Sequence, residues 1–317
     1  MKRSFLALMA LVLPLSAQAQ LCHEEPSNPA PRVSPPPLGV MASHTHKSGD
    51  WMASYTYGRM EGTQKRGRGG DMTSQMHMLG LMYAPSDAVT VMTMLPYKRI
   101  SMKGTMPNGM PMKSDSEGMG DMTVSALFPL WKGNGESLHF GAGISLPTGS
   151  IDETHTSMMG TMRLPYSMQM GTGTYDLLPS LTYNGKQGDW SYGSQLSAVI
   201  HLGKNDNGYA QGDKIELSGW GGYRFNDLVS ATVRLDGYRW GDFDGQDRAL
   251  LMMLGPIYGA ESQGGTRLDG LVGVNFFPPQ THHTRFAVEF GAPLYEHLDG
   301  SYMSNDWKLY AGWKFGF

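Results

Sequence analysis

From Trp51 onward, apolar and polar side chains alternate over segments of about ten residues, with turn-rich stretches between them. In 189–202, Trp190, Tyr192, Leu196, Ala198, Ile200 and Leu202 share one face, and Ser191, Gln195, Ser197 and His201 share the other. In 213–225, Ile215, Leu217, Tyr223 and Phe225 oppose Lys214, Glu216, Ser218 and Arg224. In 284–292, Phe286, Val288 and Phe290 oppose Arg285 and Glu289. At the end of the chain, Trp307, Leu309, Ala311, Trp313, Phe315 and Phe317 oppose Lys308, Tyr310 and Lys314. A period of two is the signature of a strand with unlike faces. It predicts twelve strands: 51–60, 71–84, 88–100, 121–131, 137–147, 174–184, 189–202, 213–225, 228–240, 265–277, 284–293 and 307–317.

The connections alternate in length. Segments 85–87, 132–136, 185–188, 226–227 and 278–283 are short, and 61–70, 101–120, 148–173, 203–212, 241–264 and 294–306 are long. Membrane barrels with short periplasmic turns, long outer loops and an even strand number show this order. The predicted fold is therefore all-β: a transmembrane antiparallel up-and-down β-barrel of about twelve strands, with both termini periplasmic. In hydrocarbon every backbone N–H and C=O must pair internally, which leaves helices or closed sheets. No stretch of about eighteen apolar residues follows the N-terminus, so a closed sheet is the choice left. Trp51, Trp131, Trp190 and Tyr223, near strand ends, suit interfacial girdles. The outward partners are outer-membrane lipids, and the phased aromatics ending at Phe317 suit recognition by the barrel assembly machinery.

The first nineteen residues read as a secretory signal. Lys2 and Arg3 precede an apolar run from Phe5 to Leu15, and Ala17-Gln18-Ala19 offers a cleavage site. Residues 20–48 carry Pro26, Pro29, Pro31, Pro35, Pro36 and Pro37, which favour extended, unpaired backbone, as in a plug or a periplasmic linker. The domain plan is thus a signal at 1–19, a Pro-rich segment at 20–48 and a barrel at 49–317. A single cysteine, Cys22, forms no disulfide framework, and Ala19-Gln20-Leu21 before it does not match a lipoprotein signal.

Charge changes the picture on the inner side. The formal net charge is −3 over 317 residues, which gives no basic field for nucleic acid. If the apolar faces meet lipid, the opposite faces line the lumen. That places Lys214, Glu216, Arg224, Arg234, Asp236, Asp269, Arg285, Glu289, Lys308 and Lys314 inside. Both signs occur, which argues for mutual pairing rather than a pore selective for one sign of ion. No Gly-x-Ser-x-Gly elbow or phosphate loop is present, and His282-His283 has no recognisable partner, so catalysis is unsupported.

Methionine is the compositional outlier, at 25 residues, concentrated between 41 and 170. Thioether sulfur is a soft ligand that selects Cu(I) or similar ions, and imidazole also suits copper. The candidate ligands are the Met41, His44, His46 cluster and the long-loop residues Met102, Met106, Met110, Met112, Met158, Met159 and Met162. Met119, Met168 and Met170 lie in the same two loops. On 71–84, by contrast, Met72, Met76, Met78 and Met82 share a face opposite Asp71, Thr73, Gln75 and His77, and that face is assigned to lipid.

The stretch Pro36-Pro37-Leu38-Gly39-Val40-Met41-Ala42-Ser43-His44-Thr45-His46-Lys47-Ser48-Gly49-Asp50-Trp51-Met52 resembles the mature start of an outer-membrane transporter family named for meta-pathway phenol degradation. The likeness runs through the barrel pattern to Phe317, and the Met-rich character is similar to members associated with copper or heavy-metal resistance. The resemblance implies a transporter-like barrel and brings no catalytic residues. Two readings of function follow. One is an outer-membrane channel or transporter for small solutes, hydrophobic organics or metal-related species, with no required cofactor. The other is a metal-binding surface protein anchored by its barrel. An outer-membrane enzyme is a third and weaker alternative.

Overall fold

The computed structural model describes residues 34–64, 70–105, 109, 111–157, 160–250, 256–260, 263–279, 284–300 and 303–316. The signal segment, Cys22, Met106, Met110, Met158, Met159, His282, His283 and Phe317 lie outside the described residues. Among those described, no helix is long and apolar enough to cross a membrane.

The wall is built from β1 (Trp51–Gln64), β2 (Gly70–Ser86), β3 (Val89–Thr105), β4 (Pro111–Met119), β5 (Met122–Gly133) and β6 (Glu136–Leu146). After a small hairpin of β7 (Thr154–Ser157) and β8 (Gly160–Arg163) come β9 (Tyr175–Leu177), β10 (Ser180–Gln187) and β11 (Trp190–Leu202). The wall is completed by β13 (Lys214–Arg224), β14 (Val229–Trp240), β16 (Gly265–Phe276), β17 (Thr284–Leu298) and β18 (Met303–Gly316). The two-residue strands β12 (Tyr209–Ala210) and β15 (Asp244–Gly245) pair with each other in the loops. Every ladder is antiparallel, each wall strand pairs with its sequence neighbour, and β18 closes on β1 from Met52 opposite Gly316 onward. Counting β4 with β5 and β9 with β10 as single broken strands gives a closed twelve-strand barrel. Closure leaves no edge of unpaired backbone groups for lipid to meet.

Side-chain alternation sorts the two faces. Leu217, Val233, Val272 and Val288, between 52% and 60% exposed, project outward, whereas Arg234, Asp236, Asp269 and Glu289 are buried. Short turns close one end. In the β5–β6 turn, Asn134 (φ 51°) and Gly135 (φ 82°) both take the left-handed region, as a tight hairpin Asn-Gly requires. Two aromatic pairs, Trp51 stacked on Tyr83 and Trp190 tilted against Tyr223, mark the short-turn rim.

Two sequence expectations are corrected here. Strand reaches well into the long segments 61–70 and 101–120: β1 runs to Gln64, β2 starts at Gly70, and β3 extends to Thr105 before β4 returns along it. Met102 and Met112 therefore belong to strands and not to an exposed loop, and Met102 is buried. The second correction concerns β2. Met78 and Met82 are buried inside the barrel, while Leu79 (57% exposed) and Leu81 face out. The methionine face of β2 is the inner one. The 164–170 stretch of the next long loop likewise folds inward, so that Met168 and Met170 are fully buried against Ile100, Met102 and Leu164.

Candidate functional site

The lumen has two unlike sides. The side formed by β13, β14, β16, β17 and β18 is ionic. Asp236 and Asp269 stand directly opposite each other across the β14–β16 ladder, and each is neutralised by its own cation. Arg234 meets Asp236 at 2.6 Å, and Ser218 Oγ and Tyr238 Oη donate to the same carboxylate at 2.7 and 2.9 Å. Lys308 and Arg267 reach Asp269 as ion pairs at 2.5 and 3.2 Å. Lys308 Nζ also donates to Tyr238 Oη at 3.0 Å, which joins the two centres. Arg234 makes a second, two-pronged pair with Glu289, Nε to Oε1 at 2.8 Å and Nη2 to Oε2 at 3.0 Å. The guanidinium fork matches a carboxylate in this geometry, and burial makes the pairing necessary.

The other sequence-predicted lumen residues fall around this network. Lys214 pairs with Glu216 at 2.9 Å toward the long-loop end of β13. Arg224 lies at the short-turn end of the same strand, bound to Asp189 at 2.7 Å and to Asp227 at 3.3 Å. Arg285 donates to Asn275 Oδ1 at 2.6 and 2.9 Å. Lys314 lines a small cavity with His44.

The segment 34–46 crosses this lumen. Arg285 donates to the Pro36 carbonyl (2.8 Å), Gln195 to Met41 (2.8 Å), His139 to Ala42 (2.8 Å) and Asn184 to Ser43 (2.8 Å). The amide of His46 in turn donates to Thr90 Oγ1 at 3.0 Å. These partners sit on β17, β11, β6, β10 and β3, so the segment is held from around the barrel. Gly39 passes so close to the Arg234–Glu289 pair that a Cβ there would strike the Arg234 guanidinium, and its amide donates to Glu289 at 3.1 Å. Leu38 and Val40 are buried beside it. A cavity of about 520 Å³ opens at the short-turn end, lined in part by Ser34, Pro35, Pro36 and Trp220. At the long-loop end, Tyr166, Tyr209, Tyr258, Leu250 and Phe243 pack into an aromatic cap, with Tyr166 against Tyr209 at 4.7 Å.

The predicted metal ligands divide. Met41 and His44 line one cavity, and the His44 and His46 rings lie 4.9 Å apart. Met102 and Met112 pack in or against a separate cluster with Met168 and Met170. Met162 pairs across the β7–β8 hairpin with His155. Among the described residues, no group of three or more His, Cys, Asp or Glu is arranged to hold a metal ion. Sequence reasoning missed Met52, Met78, Met82, Met92 and Met94, which share the cavity with Met41 and His44. Their even numbering, opposite Trp51, Leu79, Leu81 and Val91, is the signal that could have found them.

Comparison with known proteins follows from this architecture. Residues 55–276, from β1 through β16, match the model of the family described as "Putative MetA-pathway of phenol degradation". The chain belongs to this family. Its fold is shared with the COG4313 outer membrane channel from Pseudomonas putida F1, at TM-score 0.66 and 16% identity over 88% of this chain and 99% of that one. A more distant likeness is to the transport unit of the autotransporter AIDA-I from Escherichia coli, at TM-score 0.52 and 14% identity over 88% and 94% of the two chains. No curated protein matches the chain. At these identities the solved structures establish the family member's barrel fold.

Proposed function

We propose that the protein is a passive outer-membrane channel for small solutes, constricted by its own residues 34–46. One observation carries this reading: a closed barrel with an apolar outside holds an internal segment by hydrogen bonds to that segment's main chain, beside the buried Leu38 and Val40. A barrel serving only as an anchor needs no such removable filling. Twelve strands also lie between the barrels that side chains fill and those that leave an aqueous pore. An even strand number returns the chain to its starting face, and the short turns at that face support a periplasmic side for both termini. The printed description of the Pseudomonas putida relative as an outer membrane channel supports the same reading.

Single-channel recording in planar bilayers tests it. The full mature chain is expected to show small, discrete conductance steps in KCl, and a variant lacking residues 20–46 clearly larger ones. Equal conductance of the two would remove the constricting role, and silence of both would remove the channel.

A further inference from the structure

Opposite the ionic side of the lumen, β1, β2 and β3 turn thioethers inward. Met52 stands directly across from Met82, and Met82 from Met92, so three sulfur side chains form one rung over adjacent strands. Directly opposed residues on one face have Cβ atoms about 5 Å apart, within easy reach for methionine. Met78 and Met94 border the same cavity, and Met41 and His44 approach it from the crossing segment. A second rung lies toward the long loops, where Met72 faces Met102 and packs with Met112, Met168 and Met170. Met76 lies between the rungs, over Gly58. From Met82 to Met72 the inner face of β2 runs about 33 Å along the strand, from near the short-turn end into its long-loop third.

Leucine would fill this wall as well as methionine does, so shape alone does not account for the sulfur. Thioethers bind soft d10 cations without losing a proton, and imidazole adds a nitrogen donor when neutral. The His44 imidazole lines the same cavity as these thioethers, with its Nδ1 3.2 Å from Ser43 Oγ. The cavity among these residues measures about 20 Å³, room for one water-sized particle and none for an organic molecule. Lys314 also borders it, and its amine, when protonated, would oppose a bound cation.

We propose that the methionine face of β1–β3 is a binding track for soft monovalent cations, Cu(I) or Ag(I), with its principal site at Met52, Met82, Met92 and His44. This rests on the channel reading and names a solute class for it.

The test uses Ag⁺, which unlike Cu⁺ neither disproportionates in water nor oxidises in air, titrated calorimetrically into the purified full chain in detergent, with K⁺ conductance in bilayers as a separate measurement. The triple variant Met52→Leu, Met82→Leu, Met92→Leu keeps apolar volume, so it is expected to fold. Its Ag⁺ affinity should fall about tenfold or more, the cost of losing even outer-shell support at a metal site. Lys314→Gln should tighten Ag⁺ binding. X-ray absorption of the silver-loaded wild type should show sulfur neighbours, a readout that needs no variant to fold. Wild-type affinity in the triple variant, or a silver shell without sulfur, overturns the proposal. Silence in bilayers would sink the channel reading instead and leave the titration to decide the site.

Discussion

Arg234 with Glu289 and Lys308 with Asp269 form buried pairs that the linear sequence does not announce. Arg234 and Glu289 are far apart in the chain and meet because β14, β16 and β17 lie side by side in fixed register. Alternation alone places Arg234, Asp236, Asp269 and Glu289 on the polar face, and that much is legible from 228–240, 265–277 and 284–293. Which cation meets which carboxylate depends on register, and register is a property of the closed sheet. The energetic consequence is asymmetric. Arg234→Met leaves Glu289 and Asp236 buried without their cation, and removing one partner of a buried pair costs about 3–5 kcal/mol. Urea unfolding in lipid vesicles should show that loss. The double variant Arg234→Met, Glu289→Met should recover part of it, since the orphaned carboxylate is gone. A single variant as stable as wild type would show that the pair is solvated and not buried.

At the level of elements, strand positions were readable and faces were not always so. In β2 the outward residues Leu79 and Leu81 are apolar, but Asp71, Thr73 and Gln75 on the same parity are polar. The strand has 17 residues, and about ten tilted ones span the hydrocarbon core, so its long-loop third stands beyond the acyl chains. Its outward residues there face water, which made the uniformly apolar methionine parity look like the lipid face. The β4–β5 break was also invisible in the pattern. Gly120 donates to the Pro96 carbonyl at 2.8 Å, and Asp121 turns to accept from Gly149 N (2.9 Å), Thr172 N (2.7 Å) and Thr172 Oγ1 (3.0 Å). One carboxylate thus ties both ends of the inward-folded loop to the wall. Asp121→Ala should free that loop while sparing the barrel. Limited proteolysis is expected to cut within 150–172 faster in the variant, with unchanged resistance of the strands. Equal cutting rates would show that the loop is held by Met168, Met170 and Gln169 alone.

For the molecule as a whole, the outer surface sets the environment it can occupy. Val233, Val272 and Phe290 are neighbours across β14, β16 and β17 and all face out. Val272→Arg, placed mid-strand, should destabilise the lipid-embedded protein by about 2–4 kcal/mol, the cost of a charge at the midplane of such barrels. Val272→Leu should be neutral. Denaturant midpoints in phosphatidylcholine vesicles would report both, and an innocuous arginine would mean that this belt does not contact acyl chains. Inside, the crossing segment is gripped by its carbonyls at Pro36, Met41, Ala42 and Ser43. Carbonyls are the same whatever residue bears them. Evolution can therefore rewrite the more exposed side chains of this strap, and with them the chemistry of the passage, without undoing its attachment, provided Gly39 keeps its clearance beside Arg234 and the buried Leu38 and Val40 stay apolar.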